Sequence, residues 1–270
     1  MRHVVYRYLF ESQSFIAMCA ALLATESSII LYGNGLPIYF FLFFFFSTQA
    51  VYNLYYYNNS SFPLAKSLSI LSGIAAITFY LLAGYPHLPV LALASIIGIA
   101  YFIVPSRSPA YVQLFRIVLL AGCWYLMSYS MVSGSIGPVS GLDVWILFRA
   151  TTLLFLCWLF LLKDATTPLG SKFTLLTLSA LMLVILFILS VLLPFSTLKH
   201  IPYYTTCILC VLHTGIHFFS RPSSFYYLCL VDGTIMVQAT LTICIHYYCD
   251  LLTFTILPSS QNLITLSFIV

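Results

Sequence analysis

Charge is what this sequence has least of. Only 6% of its 270 residues are Asp, Glu, Lys or Arg, whereas a soluble domain carries about 25%. A water-soluble globule of this length still exposes about a quarter of its unfolded surface. With 62% apolar residues and a mean hydropathy of +1.05, there is too little polar material to cover it. A soluble enzyme on a single anchor is excluded, and the composition is that of a polytopic membrane protein. Ten basic residues against six acidic ones give a net charge of +4. No basic run of five or more occurs, so the clustering that a nucleic-acid surface needs is missing. The N-terminal MRHVVYRYLFESQ lacks the charged start, short apolar core and small-residue cleavage site of a secretory signal, so the first apolar segment is expected to be a retained span. The eight cysteines lie nearly all inside apolar runs, where a thiol packs as a small hydrophobe. A disulfide framework is therefore not expected. Cys207 and Cys210 form one C-x-x-C, which reads as packing because a thiol redox site needs a solvated flank.

What the chain does have is long apolar segments. A membrane-crossing helix needs about 20 mostly apolar residues, and nine such segments lie between breaks written in Gly, Pro, Asn and Ser. They run approximately 13–32, 36–57, 66–84, 88–104, 111–132, 143–163, 173–193, 201–219 and 224–249. Strands of a membrane barrel would alternate lipid-facing and lumen-facing residues. FFLFFFF at 40–46 and LLTLSALMLVILFILSVLL at 175–193 do not alternate, so the expected fold is an all-α polytopic bundle. One single domain is expected over 1–250, followed by a short apolar tail, 251–270, on the outer side. With nine spans, the side holding the N-terminus collects Arg2, Arg7, Lys66, Arg107, Lys163, Lys172, Arg221 and, just inside span five, Arg116. The other side holds Lys199 and, two turns into span six, Arg149. Lys and Arg are retained on the cytoplasmic side, which puts the N-terminus in the cytoplasm.

An ionisable group inside a span costs about 2.5–3.5 kcal/mol on insertion scales and is a functional candidate by default. Asp232, in LVDGTIMVQ, is expected some eight residues into span nine, and Arg116 enters from the same side on span five. Arg149 and Glu26 lie inside spans six and one. These groups line a polar cavity, or they form ion pairs that fix helix order, Asp232 with Arg116 for instance. His213 and His217 are four residues apart, on one face of span eight, as two ligands of a metal or haem would be. A third ligand is wanting unless His246 of span nine reaches them, and the other reading is a pair of hydrogen-bonded or ring-packed histidines. Tyrosines near span ends, such as Tyr55, Tyr56 and Tyr57, fit an interfacial aromatic belt. No serine or cysteine has a base and orienting acid beside it in the sequence, and no Gly-rich phosphate loop is present.

Two polar segments close pairs of spans on the cytoplasmic face: VYNLYYYNNSS at 51–61 and FLLKDATTPLGSK at 160–172. Nine helices with polar loops after spans two and six resemble the UbiA superfamily of intramembrane aromatic prenyltransferases. VYNLYYY is similar in position to that family's first Asn-Asp-x-x-Asp motif, and FLLKDATTPLG to its second, Asp-x-x-Asp-x-x-x-Asp leading to a Gly. YYLCLVDGTIMVQATL at 226–241 looks like the last span of degenerate UbiA-like proteins of Bacteroidetes. The resemblance implies a lipid-open helical cavity with Asn53 and Asp164 near its cytoplasmic mouth, and Arg116 and Asp232 as further lining candidates. It also implies Mg²⁺ held by the motif carboxylates against a substrate diphosphate. Here, however, Leu54 and Tyr57 stand at the first motif's Asp positions, and Leu161 and Pro168 flank Asp164 in the second. Mg²⁺ is a hard ion that needs carboxylates besides phosphate oxygens. The expectation is a non-catalytic UbiA-like protein without cofactor, either an accessory subunit of a membrane complex or a module binding an isoprenoid or quinone-like lipid. Two alternatives stand beside it: an active prenyltransferase with a reduced or relocated Mg²⁺ site, and an unrelated transporter or haem-binding subunit built on His213, His217 and Asp232. The expected location is a bacterial inner membrane, with membrane-protein partners and no nucleic acid.

Overall fold

In a computed structural model the described residues are 13–57, 64–84, 87–103, 110–134, 142–164, 172–220, 226 and 232–256. Among them every regular element is helical and there is no strand. We number the helices α1 (Ser14–Tyr32), α2 (Ile38–Tyr57), α3 (Ala65–Leu82), α4 (Leu88–Ile103), α5 (Ala110–Tyr125), α6 (Asp143–Asp164), α7 (Lys172–Leu192), α8 (Ile201–Phe219) and α9 (Asp232–Ile256). They fall on the nine apolar segments with two differences. The last helix runs on to Ile256, into the expected tail, and Asp232 stands in its first turn rather than eight residues inside it. A carboxylate there faces the positive end of the helix dipole, which lowers the cost of burying it. Residues 257–270 lie outside the described residues.

Among the described residues, four helical stretches are long and apolar enough to cross a membrane: Ser14–Tyr32, Ala65–Leu82, Leu114–Ser133 and Leu175–Leu192. Ile38–Leu54 and Leu88–Tyr101 are apolar but shorter. The outer surface has the character of a lipid-facing one. Ile70, Leu71, Ile74 and Ile77 of α3, Ile96 and Ile99 of α4, and Leu181, Val184, Phe187 and Ile188 of α7 are all exposed, while Glu26, Arg116, Arg149 and Asp232 are buried. That inverts the polarity of a water-soluble protein.

Helix α1 is the central member. Over half of it (56%) is buried, against 22% of the crossing stretches in α3 and α7, and it packs on α2, on α9 and on the end of α5. Small residues make this closeness feasible: Ala17, Ala20, Ala21, Ala24, Ser27 and Ser28 are all buried along it. The remaining helices pack mostly on sequence neighbours, α2 on α3, then α4 through α9 in succession, with α9 returning to α1. Small residues of α3 and α4 serve these internal contacts, Gly73 lying against Ala50 and Gly98 against Cys123. The phenylalanine run of α2 stacks inside the bundle, Phe40, Phe43 and Phe44 on one another and Phe43 on Tyr80 of α3. A π turn, Leu126–Ser130, continues α5 into Met131–Ser133. It re-aims the helix so that Leu126, Met131 and Val132 join this aromatic cluster. Cys207 and Cys210 are free buried thiols, as packing residues are.

Candidate functional site

A buried polar cluster is assembled from four helices. Glu26 of α1 and Arg149 of α6 form an ion pair at 2.6 Å, with side chains 0% and 1% exposed. The other terminal nitrogen of Arg149 donates to the Leu23 carbonyl at 3.0 Å and to the Ser27 hydroxyl at 2.8 Å. Its guanidinium carbon lies 4.6 Å from the centre of the Trp145 ring, one turn earlier on the same helix, a cation–π contact. The second oxygen of Glu26 accepts from the Gln238 amide at 3.1 Å and from the Thr242 hydroxyl at 3.2 Å, both on α9. Gln238 in turn presents its amide oxygen 3.0 Å from the Thr206 hydroxyl of α8. Each charge thus meets its opposite and further polar partners, the condition under which a buried ion pair is tolerable. The arrangement is a neutralised lock between α1, α6, α8 and α9.

One residue of this lock, Thr242, also reaches a cleft of about 230 Å³. Its walls are Ile29, Ile30, Phe195, Pro202 and Ile245, and its polar lining is Lys199, Tyr203, Thr242 and His246. The cleft forms where the last turns of α1, the 3₁₀ turn Thr197–His200 and the start of α8 meet the second half of α9. His200 anchors the 3₁₀ turn through both ring nitrogens, 3.0 Å from the Ser190 carbonyl and 2.9 Å from that of Phe195. On the other wall, the His246 ring lies 3.1 Å from the Gly33 carbonyl. The backbone approach is close here, since a Cβ on Gly35 would stand 2.9 Å from the Tyr247 hydroxyl.

Of the residues singled out in the sequence, Glu26 and Arg149 form this lock and His246 lines the cleft, whereas Asn53, Arg116, Asp232, His213 and His217 lie toward the opposite end of the bundle. Asn53 is fully buried, and its amide donates to the Gln49 carbonyl one turn back at 2.8 Å. Gln49 spans three helices, its amide nitrogen 2.9 Å from the Ser14 hydroxyl of α1 and its oxygen 2.8 Å from that of Ser72 of α3. Asp164 closes α6, but its side chain lies outside what is described, as do residues 58–63 and 165–171. Helix α2 packs on α1 and α3, and α6 on α5 and α7. Arg116 is buried with its guanidinium carbon 4.9 Å from the centre of the Tyr101 ring. Asp232 is buried, its carbonyl 3.5 Å from the Cys19 thiol. The Tyr52 hydroxyl accepts from the Trp124 indole at 3.1 Å, within electrostatic reach of the Asp232 carboxylate. The ring nitrogens of His213 lie 2.8 Å from the Tyr226 hydroxyl and 2.7 Å from that of Thr234, while His217 packs edge-on against Phe218. His246 does not reach His213. Helix α9 runs antiparallel to α8, so the 12 residues from Thr234 to His246 separate them by about 18 Å. Among the described residues no group of three or more His, Cys, Asp or Glu side chains is arranged to hold a metal ion.

No family model, curated protein or solved structure matches this chain.

The partnership of Glu26 with Arg149 was missed in the sequence, although a signal for it exists. Glu26 lies six residues before the end of α1 and Arg149 six residues after the start of α6. At 1.5 Å per residue both sit about 9 Å deep from the same side. Opposite charges at equal depth are natural partners. Gln238, Thr242 and the cleft carried no such mark, because their meeting depends on α9 lying against α1.

Proposed function

We propose that this chain is a nine-span membrane protein with a UbiA-like bundle and a cytoplasmic N-terminus, which binds an isoprenoid or other lipid without turning over a prenyl diphosphate. It acts on its own or as an accessory subunit of a complex in a bacterial inner membrane. The observation that supports this best is the state of the first motif position. The Asn53 amide nitrogen donates to the Gln49 carbonyl, the Gln49 side chain joins α1 to α3, and Leu54, at an Asp position of the family motif, is 59% exposed on the outside of the bundle. Ionising an allylic diphosphate requires its charge to be neutralised in place by a metal or an equivalent clamp, and the α2 side of that clamp has become helix packing. Lysine and arginine in the cytoplasmic connections attract a phosphate without ionising it. The cleft beside Thr242 and the apolar outer faces of α3, α4 and α7 suit a protein whose ligands come from the bilayer.

The test is direct. Purified full-length protein in detergent, given Mg²⁺ and a C15 or C20 prenyl diphosphate, should release no diphosphate above the buffer rate. Release that disappears in Asp164→Ala overturns the non-catalytic reading in favour of a relocated site. Reporter fusions at the two ends check the span count, with the N-terminal reporter expected in the cytoplasm and the C-terminal one outside.

A further inference from the structure

The cleft between α1, the 3₁₀ turn and α9 has a chemistry of its own, separate from the cytoplasmic end where the family resemblance puts a substrate. Its aliphatic walls include Ile29, Ile30 and Ile245, and its polar lining includes the half-buried Lys199. The Lys199 ammonium has no ion-pair partner among the described residues. The carboxylate that Thr242 contacts, Glu26, is already neutralised by Arg149. The Thr242 hydroxyl is turned inward to the Glu26 and Gln238 oxygens, and the His246 ring faces the Gly33 carbonyl. Lys199 thus brings a positive charge to a cleft whose other walls are mostly apolar. We propose that this cleft binds the anionic head group of a single-chain or two-chain membrane amphiphile, with Lys199 as the charge partner, Tyr203 and His246 flanking it, and the first carbons of the chain against Ile29, Ile30 and Ile245.

Size fixes how much of the ligand enters. A water occupies about 30 Å³ in the liquid, so about 230 Å³ holds a phosphate or carboxylate and a few methylenes, and the rest of the chain runs out along the bundle. By the orientation proposed above, Lys199 lies on the non-cytoplasmic side, so the ligand is drawn from the outer leaflet. The inference rests on the lipid-binding reading and gives it a place and a charge.

Photo-crosslinking of the purified full-length protein tests it, with three diazirine-bearing probes of equal chain length: a fatty acid, a phosphatidic acid and the uncharged fatty alcohol. Inorganic phosphate serves as competitor, to separate a lipid head group from a free anion. Saturable labelling within residues 195–203 or 242–246 by an acidic probe is expected, and the alcohol should label at least tenfold less. Lys199→Ala should weaken labelling about tenfold, which is what losing one charge-assisted hydrogen bond is worth, without lowering thermal stability. Ile245→Trp, which fills the cleft, should abolish it. Labelling that is saturable but lies elsewhere and ignores both substitutions overturns the cleft site while leaving lipid binding intact. Absence of any saturable labelling overturns both. Complete displacement by millimolar inorganic phosphate overturns the amphiphile in favour of a free anion.

Discussion

Cutting the Glu26–Arg149 pair is the sharpest perturbation this bundle offers. Glu26 receives hydrogen bonds from Arg149, Gln238 and Thr242, and Arg149 gives them to Glu26, Leu23 and Ser27 while resting on Trp145. Glu26→Leu leaves a guanidinium buried without its counter-charge, and Arg149→Leu leaves a carboxylate in the same position. Either change costs about 3–5 kcal/mol, whereas replacing both partners by apolar groups is often near neutral. Against a total stability of about 5–15 kcal/mol, each single variant should be close to unfolding and the double variant should recover. The double-mutant coupling is expected to be about 3 kcal/mol or more, far above the few tenths found between independent sites. It is measured by unfolding in mild detergent on titration with SDS, followed by tryptophan emission, since Trp145 reports directly on the guanidinium above it. Additive losses, with the double variant as damaged as the two singles together, refute the lock as drawn.

Other parts of the fold make their own claims. Gln49→Leu removes the bridge from Ser14 to Ser72 and should cost about 2 kcal/mol at 0.5–1.5 kcal/mol per hydrogen bond, read in the same titration; no loss would mean the bridge is not formed in detergent. Gly33 and Gly134 both adopt φ near +70°, but a Cβ at Gly33 meets open space while one at Gly134 comes within 2.5 Å of the His87 ring. Gly33→Ala and Gly134→Ala should each cost about the 1–2 kcal/mol of a left-handed residue, since the exposed His87 ring can swing aside; a loss near zero at either position would contradict the left-handed backbone. His213→Phe strips the Tyr226 and Thr234 hydroxyls of a shared partner and should cost about 1–3 kcal/mol, read in the same titration; an unchanged midpoint would refute that partnership.

Much of the architecture is legible in the chain because apolar length and break residues are local properties. Gly33-Asn34-Gly35 ends one helix and Pro37 precedes the next, so the helix edges fall where turn chemistry puts them. Helix α9 is the exception. Asp250 interrupts its apolar run directly after the expected end at 249, so its continuation to Ile256 did not register. The buried charges were identifiable one at a time, but their pairing is a property of helix neighbours. Only depth arithmetic on Glu26 and Arg149 points to it, and that arithmetic needs the topology first. The histidines show the same limit from the other side. The four-residue spacing of His213 and His217 is a true feature of α8, yet His213 turns to hydroxyls of a neighbouring segment and His246 serves the far end of α9. The cleft is the least legible element, since it is made of ordinary isoleucines brought together by the return of α9 to α1.

The ion pair also sets a timetable for synthesis. Glu26 and Arg149 are 123 residues apart, so at about 5–20 residues per second the acid waits roughly 6–25 seconds on the ribosome-bound chain before its counter-charge is made. During that interval the first helix carries a lone carboxyl, and Gln238 and Thr242 do not yet exist. A nascent chain halted before the sixth helix should therefore hold its first helix loosely, beside the insertion machinery. One halted beyond the sixth should release it into lipid, making the order of translation part of how the bundle closes.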